Sequence, residues 1–161
     1  DVIQNSLENV EDREGEFDLL TSFELVDHLH NPVRFCQRVF ALLKSGGFFL
    51  FTSINVQGFD VQILWNQCRS IFPPMHLNLF NPSSIEKMLR SVGFRILDLS
   101  TPGKLDWDLV EQAHFQEGVS LGRFWETFAQ VGTEQAKLEL QEWISKHKLS
   151  SHMRIIAQKP G

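Results

Sequence analysis

Two apolar runs, FDLLTSF (Phe17–Phe23) and GFFLFTSIN (Gly47–Asn55), flank a helix-length amphipathic stretch within residues 17–55. That arrangement leaves few folds open, because two strands joined through a helix pair in parallel in one sheet. Runs without strict alternation suit strands covered on both faces. Between them Asn31 is a good N-cap and Pro32 sits at the first helical position, where its missing N–H costs nothing. Val33, Cys36, Val39, Phe40 and Leu43 recur at helical spacing, while Arg34, Gln37, Arg38 and Lys44 fall on other faces. Gly46 and Gly47 are expected to stop this helix. The unit is therefore a βαβ crossover, and the sheet is expected to be parallel.

The rest of the chain extends this plan. Asp1 to Gln4 fits a strand end, followed by a loop or short helix. Residues 60–71 are loosely amphipathic. Asn81-Pro82 repeats the Asn-Pro opening of the first helix, Ser83 with Glu86 forms a candidate capping box, and Gly93 closes the segment. Arg95–Ser100 alternates like a strand. Residues 104–150 change to helical character and read as an insertion or lid. Its candidate buried positions are Trp107, Leu109, Val110, Phe115, Phe124, Trp125, Phe128, Leu138, Trp143 and Ile144. His152–Lys159 returns to strand. There is no repeat or low-complexity tract.

A chain of 161 residues that is 42% hydrophobic can build one core, so a single domain spans residues 1–161. The net charge of −5 and the lack of a basic stripe argue against a nucleic-acid partner. No apolar run reaches roughly eighteen residues and no signal-peptide pattern opens the chain, which sets the expectations of no membrane partner and a cytoplasmic location. The two cysteines, Cys36 and Cys68, lack metal or redox spacing, and Cys36 falls on the buried helical stripe. The first residue is Asp1, and the opening DVIQNSLENV reads as a domain interior, so a fragment of something longer is expected.

The polar stretch FELVDHLHNP (Phe23–Pro32) follows the first strand directly. For Glu24, Asp27, His28 and His30 three readings stand. One is a metal site, although HLH with one acid falls short of a full ligand set. Another is a strand-to-helix turn that is merely capped and solvated. The last is a functional site, because ligands of open α/β sheets bind at the carboxyl ends of strands. The aromatics Trp107, Phe115, Phe124, Trp125 and Trp143 read either as an acceptor pocket or as plain core.

The run FDLLTSFELVDHLHNPVRFCQRVFALLKSGGFFLFTSIN resembles the second half of a class I S-adenosylmethionine-dependent methyltransferase. Phe17-Asp18, Glu24 and His28 match that family's strand motif. Leu42 to Gly47 match its LLKPGG ending, with Ser45 in place of proline, and Thr52–Asn55 matches its TxPN-like turn. PPMHLNLFNPSSIEKMLRSVGF is similar to a second family segment, in which a histidine and an aromatic precede a helix ending in Gly-Phe. The resemblance covers residues 1 to about 103 and again 152–159. It implies an α/β, Rossmann-like sheet with a helical insertion before the last strand. It implies a cofactor, S-adenosylmethionine, lined by Ser22, Phe23 and Glu24 and, by position alone, by Ser6, Leu7 and Glu8. It implies His28 as a base or substrate-orienting group and His76 as a substrate contact, the bland alternative for His76 being a solvated loop histidine. No metal is required, and the acceptor implied is a small molecule or another non-nucleic-acid group.

The family's glycine-rich loop after its first strand is not in this sequence, and Gly46-Gly47 follows a helix instead of opening one. The resemblance therefore implies a sheet truncated in its N-terminal half, binding cofactor poorly by itself. The competing reading is a non-enzymatic scaffold or self-association module. In either case Phe17–Phe23 is expected to present a bare edge, covered by homodimer or strand pairing or by Asp1–Gln4 moving alongside.

Overall fold

The structure, a computed structural model, describes residues 4–10, 12–72 and 74–161. Four strands, β1 (Phe17–Ser22), β2 (Leu43–Ile54), β3 (Arg95–Ser100) and β4 (His152–Gln158), form one sheet in the order β1-β2-β4-β3. β1 and β2 are parallel, joined through α1 (Pro32–Leu42), as the βαβ pattern requires. The expectation of a parallel sheet stops there: β4 lies between β2 and β3 and is antiparallel to both. The insertion between β3 and β4, made of α4 (Asp106–Glu117), α5 (Arg123–Val131) and α6 (Glu134–Lys146), returns the chain to the end of the sheet it left. The strand that follows can then only run back the other way.

One helical layer backs the sheet. Phe49 and Phe51 of β2, Met153, Ile155 and Ala157 of β4, and Leu99 of β3 meet Phe35, Cys36 and Val39 of α1 and Ile85, Met88 and Leu89 of α3 (Pro82–Val92). The strands were expected to be buried on both faces, and they are not. Buried and open residues alternate along β2, and Leu19 of β1 is 54% exposed, because among the described residues helices pack on one face only. Among the described residues β1 is an edge strand, and the notion that Asp1–Gln4 lies beside it falls mostly outside the described residues.

Two local expectations need correction. Gly46-Gly47 does not end α1. The helix stops at Leu42, β2 begins at Leu43, and the glycines lie where the β1–β2 register shifts between Phe17 and Leu19. Gly46 adopts φ +82°, which suits the irregularity. The capping box of α3 is formed by Asn81 and Ser84 rather than Ser83 and Glu86, because Asn81 is already the N-cap and its N3 residue is Ser84.

The insertion has a core of its own. Trp107, Val110 and Ala113 of α4 pack on Val61 and Leu64 of α2 (Phe59–Leu64), with Phe59, Trp125 and Phe128 around Trp107. Trp107, Val110 and Ile144 are buried as expected, but Leu109, Phe115, Phe124, Leu138 and Trp143 are exposed. These helices use one face for packing and carry apolar side chains on the other as well. Asp106 ties the insertion to the start of β4. Its buried carboxylate accepts hydrogen bonds from the Ser150 hydroxyl, from the Ser151 amide and hydroxyl, and from the Gln141 side-chain amide.

Candidate functional site

The site forms where β1 ends. Ser22 closes the strand, Glu24 takes a left-handed turn (φ 47°) with its N–H donating to Thr52 Oγ1 of the neighbouring β2, and Val26–His28 makes one 3-10 turn. Asn31 then caps α1 by accepting from the Arg34 N–H at 2.9 Å. The abrupt change of direction, in a backbone conformation uncommon for a side-chain-bearing residue, turns Asp27 inward, where it is 1% exposed.

A second segment, Phe72 with residues 74–78, is strapped across this turn. The Asp27 carbonyl accepts from the Leu77 and Asn78 amides at 2.9 and 3.0 Å, and the Asn78 side chain donates to the Leu29 carbonyl at 2.6 Å. The strap places His76 over His28, with ring centroids 4.6 Å apart. Both imidazoles then face one carboxylate oxygen: Asp27 Oδ2 lies 3.4 Å from His28 Nε2 and 3.5 Å from His76 Nε2. The other oxygen, Oδ1, accepts from Ser53 Oγ at 3.4 Å. Oδ2 itself has no hydrogen bond of good geometry among the described residues, so the two histidines sit at ion-pair distance from it.

The outer ring nitrogens decide where the protons are. His28 Nδ1 lies 2.7 Å from the Met75 carbonyl, an acceptor, so Nδ1 carries a hydrogen and the neutral ring has its lone pair on Nε2. His76 Nδ1 accepts from the Phe72 N–H at 3.0 Å, so Nδ1 holds the lone pair and Nε2 carries the hydrogen. One carboxylate thus faces a proton donor on His76 and a proton acceptor on His28. That arrangement can take up a proton at His28 Nε2 and hold the resulting imidazolium against Asp27.

The same three groups bear on the metal reading. Their 3.4 and 3.5 Å separations approach the roughly 3.3 Å ligand-to-ligand edge of a tetrahedral zinc site. A ligand nitrogen must present its lone pair, however, and the Phe72 amide leaves a hydrogen on His76 Nε2. As arranged, Asp27 and His28 offer two ligands, short of a closed or catalytic set.

Beside the cluster lies a cavity of about 510 Å³. Four of the residues named from the sequence as cofactor contacts, Ser6, Leu7, Ser22 and Phe23, line it, with Leu20, Leu29, Phe35 and Phe49 supplying apolar wall. Ser22 Oγ is buried and has no hydrogen-bond partner among the described residues. An apolar cavity with few polar groups, at the carboxyl end of a parallel strand, is a common form of small-molecule site. Glu24 does not line it; its carboxylate lies 3.7 Å from His152 Nε2. His30 is exposed and belongs to neither group. Sequence reading named His28 and His76 separately and missed that Asp27 joins them. The signal was an acid directly before a histidine at a strand end, which had also been open to a plain solvated turn. The five aromatics weighed as an acceptor pocket do not all gather: Trp107 and Trp125 pack in the insertion core with the exposed Phe124 against Trp125, while Phe115 and Trp143 are exposed and pair with His114 and His147.

Comparison with known proteins decides the family. A family model described as a methyltransferase domain matches residues 2–99. The chain belongs to this methyltransferase-domain family. Solved structures share the fold at low identity. The [4+2]-cyclase SpnF aligns with TM-score 0.57 and 17% identity over 97% of the chain and 54% of its own. A SAM-dependent methyltransferase from Thermotoga maritima gives 0.58 and 13%, over 98% and 62%. A phosphoethanolamine N-methyltransferase from Haemonchus contortus, bound to S-adenosyl-L-methionine, gives 0.55 and 18%, over 97% and 36%. The methyltransferase-domain chain thus spans little more than half the length of the first of these relatives. No curated protein matches it.

Proposed function

We propose that this methyltransferase domain takes part in S-adenosylmethionine-dependent methyl transfer to a small-molecule or other non-nucleic-acid acceptor, with no metal, in the cytoplasm. The observation that carries the reading is the Asp27–His28–His76 cluster at the carboxyl end of β1, next to the cavity lined by Ser6, Leu7, Ser22 and Phe23. Ser22 and Phe23 would hold the cofactor with Ser6 and Leu7, and Glu24 stands at the rim of that contact set. The buried, unpartnered Ser22 hydroxyl suits a polar group of the cofactor against an otherwise apolar wall. When bound, the cofactor supplies an activated methyl group.

The chain's own residues supply position and a proton acceptor. Methyl transfer is an in-line displacement, so holding the acceptor in line accounts for much of the acceleration. An acceptor that must shed a proton gives it to His28 Nε2. The Met75 carbonyl keeps that nitrogen's lone pair available, and Asp27 3.4 Å away stabilises the charge that appears. His76 acts through Asp27, donating its Nε2–H toward the oxygen that faces His28. With the family's glycine-rich loop missing from these residues, the chain by itself is expected to bind cofactor weakly. The edge of β1, unpaired among the described residues, favours pairing with a second copy or another strand.

Calorimetry with S-adenosylmethionine and S-adenosylhomocysteine, on this chain and on one extended upstream, tests the reading. The extended protein should bind and turn over. His28→Gln should then lower turnover about 10²–10⁴-fold, as loss of a general base does, with cofactor affinity nearly unchanged. Micromolar cofactor binding by the short chain refutes the claim of weak binding, and full activity of His28→Gln refutes the base.

A further inference from the structure

The surroundings of the cluster restrict what can reach His28. Residues 23–33 and 70–81, which build the turn and the strap, contain no lysine or arginine; their only charged side chains besides histidines are Glu24 and Asp27. The side chains beside the cluster on these two segments are apolar and open. Phe23 and Leu25 stand on the turn, and Phe72 (60% exposed), Met75, Leu77 and Leu79 on the strap. The hydrogen bonds of Asp27, His28 and His76 to this strap tie those side chains to the site rather than leaving them on a loose loop. At its centre is a buried carboxylate oxygen without a hydrogen bond among the described residues, aimed at the two imidazoles.

From this combination we infer that the acceptor is a hydrophobic amine, an apolar body bearing a protonatable nitrogen. Charge complementarity selects the nitrogen. An amine arrives as an ammonium, which the Asp27 and Glu24 carboxylates attract, with no lysine or arginine on the turn or strap segments to oppose them. It gives one proton to the Nε2 lone pair of His28. This leaves a neutral amine with its own lone pair exposed and an imidazolium paired with Asp27, so positive charge stays beside the carboxylate throughout. A phosphate ester would bring negative charge beside Asp27 and Glu24 with no lysine or arginine on the turn or strap to receive it, and a hydroxyl acceptor would develop negative charge there. The apolar rim selects the body: large exposed apolar side chains grouped around a polar centre are ordinary for a binding mouth and unusual for bare surface.

The inference depends on the proposed methyl transfer only for the later fate of the amine, and the binding preference can be read without cofactor. Calorimetry of the full chain with 2-phenylethylamine, 2-phenylethanol and phenethyl phosphate compares three headgroups on one body. The amine should bind at least about tenfold more tightly than the alcohol, with the phosphate weakest. Asp27→Asn should erase that preference. The exposed pair Phe72→Ser with Met75→Ser should weaken amine and alcohol alike. Glu24→Gln, at an exposed side chain whose ion pair is with the half-exposed His152, should narrow the preference by a smaller factor and keeps the test open if Asp27→Asn fails to fold. Equal or tighter binding of the phosphate or the alcohol overturns the inference. So does a preference that survives both charge-removing variants, or the absence of binding by all three compounds. Failure of cofactor binding with the amine preference intact would instead sink the methyl-transfer reading alone.

Discussion

Asp106→Ala should destabilise the protein by about 3 kcal/mol through loss of the lock between the helical insertion and β4. The buried carboxylate accepts the Ser150 hydroxyl, the Ser151 amide and the Ser151 hydroxyl at 2.7 Å each, and the Gln141 amide at 2.6 Å. The two hydroxyls can turn to other acceptors and the Gln141 side-chain amide also donates to the Gly103 carbonyl, but the Ser151 N–H cannot move without moving the chain. The one buried donor left unpaired costs about 1–3 kcal/mol, the other lost bonds to a charged acceptor add about 1.5 kcal/mol or more, and relief from desolvating the carboxylate offsets part of this. Urea unfolding followed by tryptophan fluorescence reads the change, since Trp107 adjoins Asp106 and is buried. With a slope of about 2 kcal/mol/M, the midpoint should fall by about 1.5 M. Asp106→Asn should keep only part of the loss, because its NH2 faces donors. A midpoint shift under about 0.5 M for the alanine variant would show that the lock contributes little and that insertion packing holds the segment alone.

Other expectations follow from single residues. Burial pushes the Cys36 thiol up from 9.0 to about 12. Between these values the folded state keeps a proton that the unfolded chain has lost, so stability should fall as pH rises above about 9, by up to about 1.4 kcal/mol per unit. Comparing urea midpoints of the protein and of Cys36→Ala at pH 8 and 10 checks the slope, which should flatten in the variant. Asn81→Ala removes the side-chain acceptor of the Ser84 N–H while leaving the backbone N–H of residue 81 free to donate to Ser84 Oγ, and should cost about 1 kcal/mol in thermal or urea unfolding. Gly46→Ala meets no atom within 4 Å but keeps φ +82°, so its cost should be pure backbone strain, about 1–2 kcal/mol. A neutral result would mean that the β1–β2 irregularity relaxes to an ordinary conformation.

Much of the fold was legible because it is local. The helix Pro32–Leu42 is announced by its Asn-Pro opening and apolar stripe, and α3 by the same opening with Gly93 at φ +113° closing it. The insertion and the last strand also appear where the change in pattern puts them. What was misread depends on distant partners. Leu19 looks like a buried strand residue until the number of helical layers is known, and Phe124 and Trp143 look like core until the packing face of each helix is known. Gly46-Gly47 has the composition of a helix cap, and only the pairing of β2 with β1 makes it a strand irregularity.

The candidate site divides the same way. Residue types and strand-end position already marked His28, His76 and the Ser22–Glu24 turn, because a polar cluster after an apolar strand is visible along the chain. That Asp27 faces both histidines was decided by the tertiary structure. Residues 74–78 must fold back across a turn some fifty positions earlier, and the backbone bonds from Leu77 and Asn78 to the Asp27 carbonyl fix that contact. Proton positions came later still, since His28 and His76 are the same residue type in sequence. They differ only because one ring nitrogen meets a carbonyl and the other an amide. Sequence determined which groups were available and on which local elements; long-range hydrogen bonding decided which would meet, and in which protonation pattern.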